Sequence, residues 1–388
     1  MDFSVTQAQQ ELSALSRRIL ADRATPDRLA ELDRAGRGFD PDLWADLAAA
    51  GLLSAALPEA AGGDGYGLAE QVTILTEIGR ALAPAPYAET IAAGAAAIAR
   101  FGSSEQVSGW AARAAAGELV IAPALAEPGG EDPAEPATTA EPDGSGWRLF
   151  GIKTAVTAGA DAGLFLVPAV TPHGTAVFCV LPADHGVAVA PQRLIDTAGA
   201  AQLSLDGVGL GADRLLGEPA MPAPAAPAAG ANGANGASVA GWLADRVTVG
   251  LAALQLGVTE RALELTAEYA RGRKQFGRPI GAFQAVAQRL ADAYIDVEAI
   301  RLTMWQAAWR LEAGLACEQE IATAKFWAAD GGHRVAHTAV HIHGGVGIDT
   351  SHPLHRYFRA AKRNEFALGG ATAQLRRLGA ALAADAVG

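Results

Sequence analysis

The sequence predicts an α+β protein with three parts: a helical N-terminal domain, a small middle β-domain, and a C-terminal four-helix bundle. Three observations predict it. Apolar residues recur at helical spacing over residues 1 to about 120, the period shortens to two from about Val120, and helical periodicity returns from Val239 onward. A chain of 388 residues has ample core for several domains. Hydrophobic residues at 50% and charged residues at 19% fit a globular protein and argue against disorder.

In the first part, Leu12, Leu15, Ile19 and Leu20, then Leu43, Leu47, Leu52 and Leu53, mark helix faces. LPEAAGGDGYG at 57–67 is a glycine-rich break, and Pro84 and Pro86 are expected to bend the helix that follows. The boundary falls near residue 120. Segments WRLFGIKTAVT, AGLFLVPAV, TAVFCVLPA and AQLSLDGVGL then alternate apolar and polar residues between Gly, Pro and Asp turns, as strands do. Residues 121–217 are therefore expected to form a barrel or sandwich inserted between helical domains.

Residues 218–238, EPAMPAPAAPAAGANGANGAS, offer few side chains for a core and read as a linker loop. Four helices can be drawn in 239–388, at 239–270, 283–313, 318–343 and 354–384, joined by short connections that suit an antiparallel bundle.

Charge and composition exclude several functions. A net charge of −12 without a dense basic surface argues against nucleic acid. No run reaches the roughly 18 apolar residues of a membrane span. With Asp2, Glu11, Arg17 and Arg18 in its first helix the N-terminus does not read as a signal peptide, so a cytosolic protein is expected. The two cysteines, Cys179 and Cys317, sit in unlike segments, which argues against a structural disulfide or a cysteine-built metal site.

Chemistry concentrates around Arg271 to Gln284, RGRKQFGRPIGAFQ, where a long helix ends in cations and Gly277, Pro279 and Gly281 break the period before the next helix. Arg273 can be a favourable charge on a helix C-terminus, or a guanidinium aimed at a phosphate. Spacing alone leaves both open. His333, His337 and His341 recur at helical spacing with His343 following, which suits metal ligands or simply a helix lining a bundle; no metal is expected.

The run R-x-Q-F-G-x-P-I-x-x-F-Q, followed by HIHGGVGI and then HPLHRYFRAAK, resembles the acyl-CoA dehydrogenase family in order and spacing. MDFSVTQAQQELSALSRRIL and GLAEQVTILTEIGRAL resemble two of the family's N-terminal helices. The resemblance implies the family's fold, FAD as cofactor, an acyl-CoA substrate, and electron-transfer flavoprotein as the electron acceptor. It also implies a homotetramer, or a heterotetramer with a second acyl-CoA dehydrogenase-like subunit. In the family FAD lies between the β-domain of one subunit and the bundle of its neighbour. By that match Arg273 and Gln284 hold the pyrophosphate, Phe276 packs beside the cofactor, and His341 sits near it. Gly344 and Gly345 match a glycine pair that lets backbone approach the dinucleotide. Thr372 and Gln374 match the Thr and Gln of E-G-T-x-Q, and Thr157 matches the hydroxyl of W-I-T.

Two departures follow from the same match. The family's T-E-P-x-A-G-S-D loop is here Ala126-Glu127-Pro128-Gly129-Gly130-Glu131-Asp132, and the indole of W-I-T is replaced at Ala155. Two hydroxyls and a stacking face are missing. The glutamate of E-G-T-x-Q is Gly370, so the α-proton base must be sought elsewhere. Some members carry it in a Glu-Arg pair on the helix before R-x-Q-F-G, the place of Asp245-Arg246. Asp245 shares a helical face with Val249, Ala252 and Leu256, and a carboxylate on an apolar stripe has its pKa raised toward a base's range. The other reading of Asp245 is a helix-start charge. Glu365 is the weaker candidate, five residues further from Thr372 than the family spacing.

The implied reaction is FAD-dependent α,β-dehydrogenation of an acyl-CoA to the trans-2-enoyl-CoA. The alternative is a partner subunit without chemistry of its own, completing the FAD site of a heterotetramer as in some actinobacterial steroid-degrading dehydrogenases. An acyl-carrier-protein dehydrogenase or flavin oxidase on the same fold is a further alternative.

Overall fold

The computed structural model describes residues 4–130, 132, 135–196, 199–218 and 238–385. The expected linker loop lies outside these except for its first and last residues.

The N-terminal helices are set by their caps. Helix α1 (Gln7–Arg23) starts at Thr6 in a reciprocal capping box with Gln9, and α2 (Pro26–Ala35) starts at Thr25 with Pro26 and stops at left-handed Gly36. Helix α3 (Pro41–Ala49) is capped by Asp40, whose carboxylate also takes both arms of Arg28 at 2.8 Å. Helix α4 (Leu68–Ala81) ends rather than bends: Leu82 turns left-handed at φ 51°, and Pro84 and Pro86 sit in the connection. The chain resumes in π-helical turns at Ala88–Ala95, continuous with α5 (Ala96–Phe101). Short helices α6 (Ser104–Gln106) and α7 (Ala112–Ala115) close the domain.

The strands are β1 (Ile121–Pro123), β2 (Thr139–Asp143), β3 (Gly146–Val156), β4 (Leu164–Thr171), β5 (Gly174–Val180), β6 (Val187–Gln192), β7 (Ala200–Leu210) and β8 (Leu215–Leu216). They make one mixed sheet in the order β6-β7-β3-β2-β4-β5-β8, with β1 parallel on β4; among the described residues no pairing joins β6 to β8. On β3 the side chain of Lys153 is fully buried, its Nζ 2.6 Å from Glu127 Oε1 and 2.8 Å from Pro168 O. That pair satisfies two charges inside the sheet's core.

The bundle comprises α8 (Val239–Gly272), the hairpin of β9 (Lys274–Gln275) and β10 (Arg278–Pro279), α9 (Gln284–Glu312), α10 (Glu318–His343), α11 (Leu354–Phe366) and α12 (Ala371–Asp385). The fourth expected helix is thus two. Leu368 at φ 54° and Gly369 at φ 90° turn the chain between α11 and α12, and the helical spacing of apolar residues on either side hid that corner.

One core runs from the N-terminal helices through β1, β4 and β5 into α8, α9 and α10. Within it, α4 and α8 meet backbone to backbone. A Cβ at Gly79 would lie 2.2 Å from Leu254 O, and one at Gly257 would lie 2.0 Å from Thr76 O and 2.6 Å from Arg80 N. Both obstacles are backbone, so neither can swing aside. Gly257→Ala is therefore expected to destabilise the chain by about 3 kcal/mol or more, at the upper end of overpacking costs, despite alanine's better helix propensity. Urea denaturation checks this, and a neutral effect would mean the two helices can separate without loss.

Candidate functional site

The hairpin after α8 forms an exposed edge of the bundle. Arg273 caps α8, its N–H bonded to Tyr269 O at 2.8 Å and its carbonyl accepting from Ile280 N at 2.8 Å, while its side chain faces solvent. Phe276 is held at φ 52° with its ring 92% exposed, a strained and solvated placement for an aromatic. Gln284 opens α9, where unpaired N–H groups favour an anion. At the same end, Tyr269 stacks on His343 at 4.3 Å, which brings the end of α10 beside the end of α8. Gly344 and Gly345 follow there, and a Cβ on either would meet nothing within 4 Å. Cation, helix N-terminus, exposed ring and bare backbone on one edge fit the pyrophosphate and an adjoining ring of a dinucleotide. His341 is exposed in a neighbouring groove with Arg289 and Asp292.

Thr157, Thr372 and Gln374 lie elsewhere. Thr372 is exposed in a groove between the β-domain loop Leu125–Glu127 and the α11–α12 connector. Gln374 is fully buried, its Nε2 donating to Leu368 O and Gly369 O at 3.2 Å, so its amide holds the connector. Thr157 lines a cleft of about 280 Å³ with Ala155, Val156, Val247, Leu251 and Phe366. None of Arg273, Phe276, Gln284, Gly344 or Gly345 lines that groove or that cleft. The residues that match the family's flavin positions fall on two separate surfaces. Asp132 and Arg377 form an ion pair at 3.3 Å that ties the β-domain loop to α12 beside the groove.

Asp245 lies in the second turn of α8, and burial pushes its carboxyl up to about 7, helped by Glu318 and opposed by Arg377. It does not line the cleft. Val247 and Leu251, one turn apart, are the α8 residues that do, and Asp245 points away from that face toward the start of α10. Arg246 is buried: its Nε donates to Ala92 O at 2.8 Å, its Nη2 bonds Gln71, and it stacks 5.1 Å from the Trp242 ring. Burial lowers it to about 10. It therefore braces α8 against α4 and the π turns.

Glu365 faces the groove but is engaged, 2.8 Å from Lys362 Nζ and 3.1 Å from His333 Nδ1, with Lys362 Nζ 2.7 Å from the same nitrogen. His333 and His337 stack on each other at 4.2 Å. Among the described residues no group of three His, Cys, Asp or Glu is arranged around a metal.

Sequence reasoning missed Lys325 and Glu89. Lys325 is fully buried on α10, its Nζ donating to Asn364 O and Glu365 O at 2.9 and 3.1 Å, where it closes the C-terminal end of α11. A lone lysine among Ile321, Ala322, Ala324 and Ala328 was the available signal.

With this geometry in view, the chain belongs to the acyl-CoA dehydrogenase family, whose members are FAD-dependent oxidoreductases. Residues 6–118 match the family model "Acyl-CoA dehydrogenase, N-terminal domain" and residues 234–383 match "Acyl-CoA dehydrogenase, C-terminal domain". The chain is 49% identical to acyl-CoA dehydrogenase FadE27 of Mycobacterium tuberculosis (strain ATCC 25618 / H37Rv), over 99% of each. Among solved structures it resembles the ChsE4-ChsE5 complex from Mycobacterium tuberculosis, with a TM-score of 0.91, 48% identity and 99% coverage of both chains. It also resembles the Tcur3481-Tcur3483 steroid ACAD, with a TM-score of 0.88, 40% identity, and coverage of 98% and 99%.

Burial pushes Lys325 down to about 7, opposed by Glu365 and reinforced by Arg377. An unfolded lysine titrates near 10.4. Between those values the unfolded state binds more protons, so this group's contribution to stability rises with pH across the window and its cost is full below it. The stability of Lys325→Met relative to the native chain should therefore be most favourable at about pH 7 and progressively less so toward pH 10, whatever the fixed cost of its two lost hydrogen bonds. Urea melts at both pH values measure this; a pH-independent difference would mean that Lys325 is not neutral in the fold.

Proposed function

We propose that this chain works in FAD-dependent α,β-dehydrogenation of an acyl-CoA thioester, as the subunit that closes the flavin site of a neighbouring, differently specialised chain. The observation that carries this is the division of its flavin-type residues. Arg273, Phe276, Gln284, Gly344 and Gly345 lie on an exposed edge, apart from the chain's own cleft, so a dinucleotide there needs another subunit to cover it. Arg273 would pair with the pyrophosphate, the glycine pair would let backbone approach it, and Phe276 would lie against a ring. Bound FAD supplies the acceptor for the hydride that leaves the β-carbon.

The chain's own cleft supports a non-catalytic role for this half. Its α8 wall is Val247 and Leu251, and Gly370 stands where the family places a glutamate. The likeness to one chain of the ChsE4-ChsE5 complex supports a heterotetramer. The likeness to Tcur3481-Tcur3483, titled a steroid ACAD, supports a steroid-type acyl group. Electron-transfer flavoprotein is the acceptor proposed for the assembly.

A second reading keeps Asp245 as the base, and its raised carboxyl favours it. Two variants in the assembled enzyme separate the readings. Arg273→Ala should weaken FAD binding about 10- to 150-fold, from the loss of about 1.5–3 kcal/mol, and unchanged flavin content would remove the shared-site argument. Asp245→Asn should leave turnover within a few-fold. A loss of about a hundredfold, typical of a positioned base, would establish Asp245 as catalytic instead.

A further inference from the structure

The ends of α8 and α10 are joined through one buried ring. His343 closes α10, is 4% exposed, and stacks against Tyr269 with ring centroids 4.3 Å apart and planes within 22° of parallel. Tyr269 O in turn accepts the Arg273 N–H at 2.8 Å, so a single stack ties the Arg273 turn to the helix end that Gly344 and Gly345 follow. The loop beyond them folds back onto the same ring. His352 lies 5.1 Å from His343, and a Cβ at Gly347 would come within 3.1 Å of the His343 Cβ.

Hydrogen bonding fixes the state of this ring. Its Nδ1 is 2.8 Å from Ala339 O, and a carbonyl only accepts, so Nδ1 carries the proton. In the neutral ring Nε2 is then bare. Among the described residues it has no partner, and it is packed too closely for a water molecule to touch it. A second proton would place a charged N–H where nothing can accept it. The last turn of a helix favours a cation, but Ala339 O is already taken by Nδ1 and offers Nε2 no acceptor. Among the described residues, the titratable groups set against the ring are Tyr269 from α8 and His352 from the loop, and neither supplies a carboxylate to pair with an imidazolium. Asp349, in the same loop, accepts from Ser351 N at 2.8 Å and acts on His352 and His355.

We propose that neutral His343 is the positioning residue for the Gly344–Gly345 backbone, holding it beside the Arg273 turn, and that its protonation releases this edge. The inference rests on the reading that the edge receives the dinucleotide, and adds the condition that it does so only while the ring is uncharged. Burial holds the folded ring below the ordinary imidazole range, with the Ala339 bond opposing and His352 reinforcing. A ring in an opened segment titrates near about 6.5. Between those values the opened form binds the extra proton. Closure therefore weakens as pH falls below about 6.5, by up to about tenfold per pH unit, and is constant above it.

Amide hydrogen exchange of residues 344–348 in the assembled enzyme reports this closure at each pH once the intrinsic exchange rate is divided out. Protection should be level from about pH 8 to about pH 7 and then fall toward about pH 5.5, by up to about tenfold per unit, and FAD affinity should weaken over the same range. His343→Phe keeps a ring against Tyr269 but cannot titrate, so both profiles should flatten, whereas His352→Asn should keep them. Native protection that ignores pH, a fall that survives in His343→Phe, or one that vanishes in His352→Asn would overturn the proposal. So would FAD affinity that stays level while protection falls. Should His343→Phe fail to assemble, the native and His352→Asn profiles decide. Failure of the underlying reading shows separately, as flavin binding unchanged in Arg273→Ala.

Discussion

The backbone contact between α4 and α8 is the constraint on which the other placements depend. With Gly79 against Leu254 and Gly257 against Thr76, the two helices touch without side chains between them, so their separation and rotation are fixed together. Polar ties then secure the same pair along its length. Arg246 reaches Gln71 at one end, and Arg80 takes Glu260 and Glu264 at 2.8 Å toward the other. A helix fixed in rotation has no choice about which residues it shows to each neighbour. For α8 that means Val247 and Leu251 toward the cleft and Asp245 toward the start of α10.

The second fixed point is the connector between α11 and α12, held from both sides by buried side chains. Lys325 from α10 takes the last carbonyls of α11, and Gln374 from α12 takes Leu368 O and Gly369 O. Two consecutive left-handed residues persist there because those donors hold them. The connector forms a wall of both the groove and the cleft, so its conformation sets how much room either offers. By contrast, the α8–α9 hairpin leaves Phe276 and Arg273 exposed, with Phe276 edge-on to Phe283 at 6.2 Å.

Periodicity made the helix–strand–helix order legible, because burial of one face imposes a repeat on the residues. The motif around Arg273 was legible for a different reason: Gly277 and the cations mark a turn by their own conformational and electrostatic demands. What stayed hidden depends on contacts far apart in sequence. The α11–α12 corner shows in the sequence as Gly369 and Gly370, but the buried donors that hold it, Lys325 from α10 and Gln374 from α12, come from the fold. Gln374 and Thr372 are two positions apart, yet the first turns inward and the second outward, a division that a motif match cannot express. Glu89 and Asn364 are 275 positions apart and line the same cavity.

Asp245 shows why a raised pKa and a catalytic role are separable. Burial in an apolar helix face lifts a carboxyl whether or not a substrate can reach it, because the cause is lost hydration of the charged form. The periodicity of α8 revealed that lost hydration correctly, since both faces of the helix are apolar. It could not say which face meets the cleft. That is decided by the rotation the α4 contact imposes, and the same rotation that leaves Asp245 half-buried turns it toward Glu318 and Cys317. A general base needs both a suitable pKa and hydrogen-bond reach to the proton it removes. Along α8 the carboxyl has the first property, while the cleft-facing positions, Val247 and Leu251, carry no group that could accept a proton. No residue of that helix combines a raised carboxyl with a place on the cleft, and that separation is the ground for the non-catalytic role proposed for this chain.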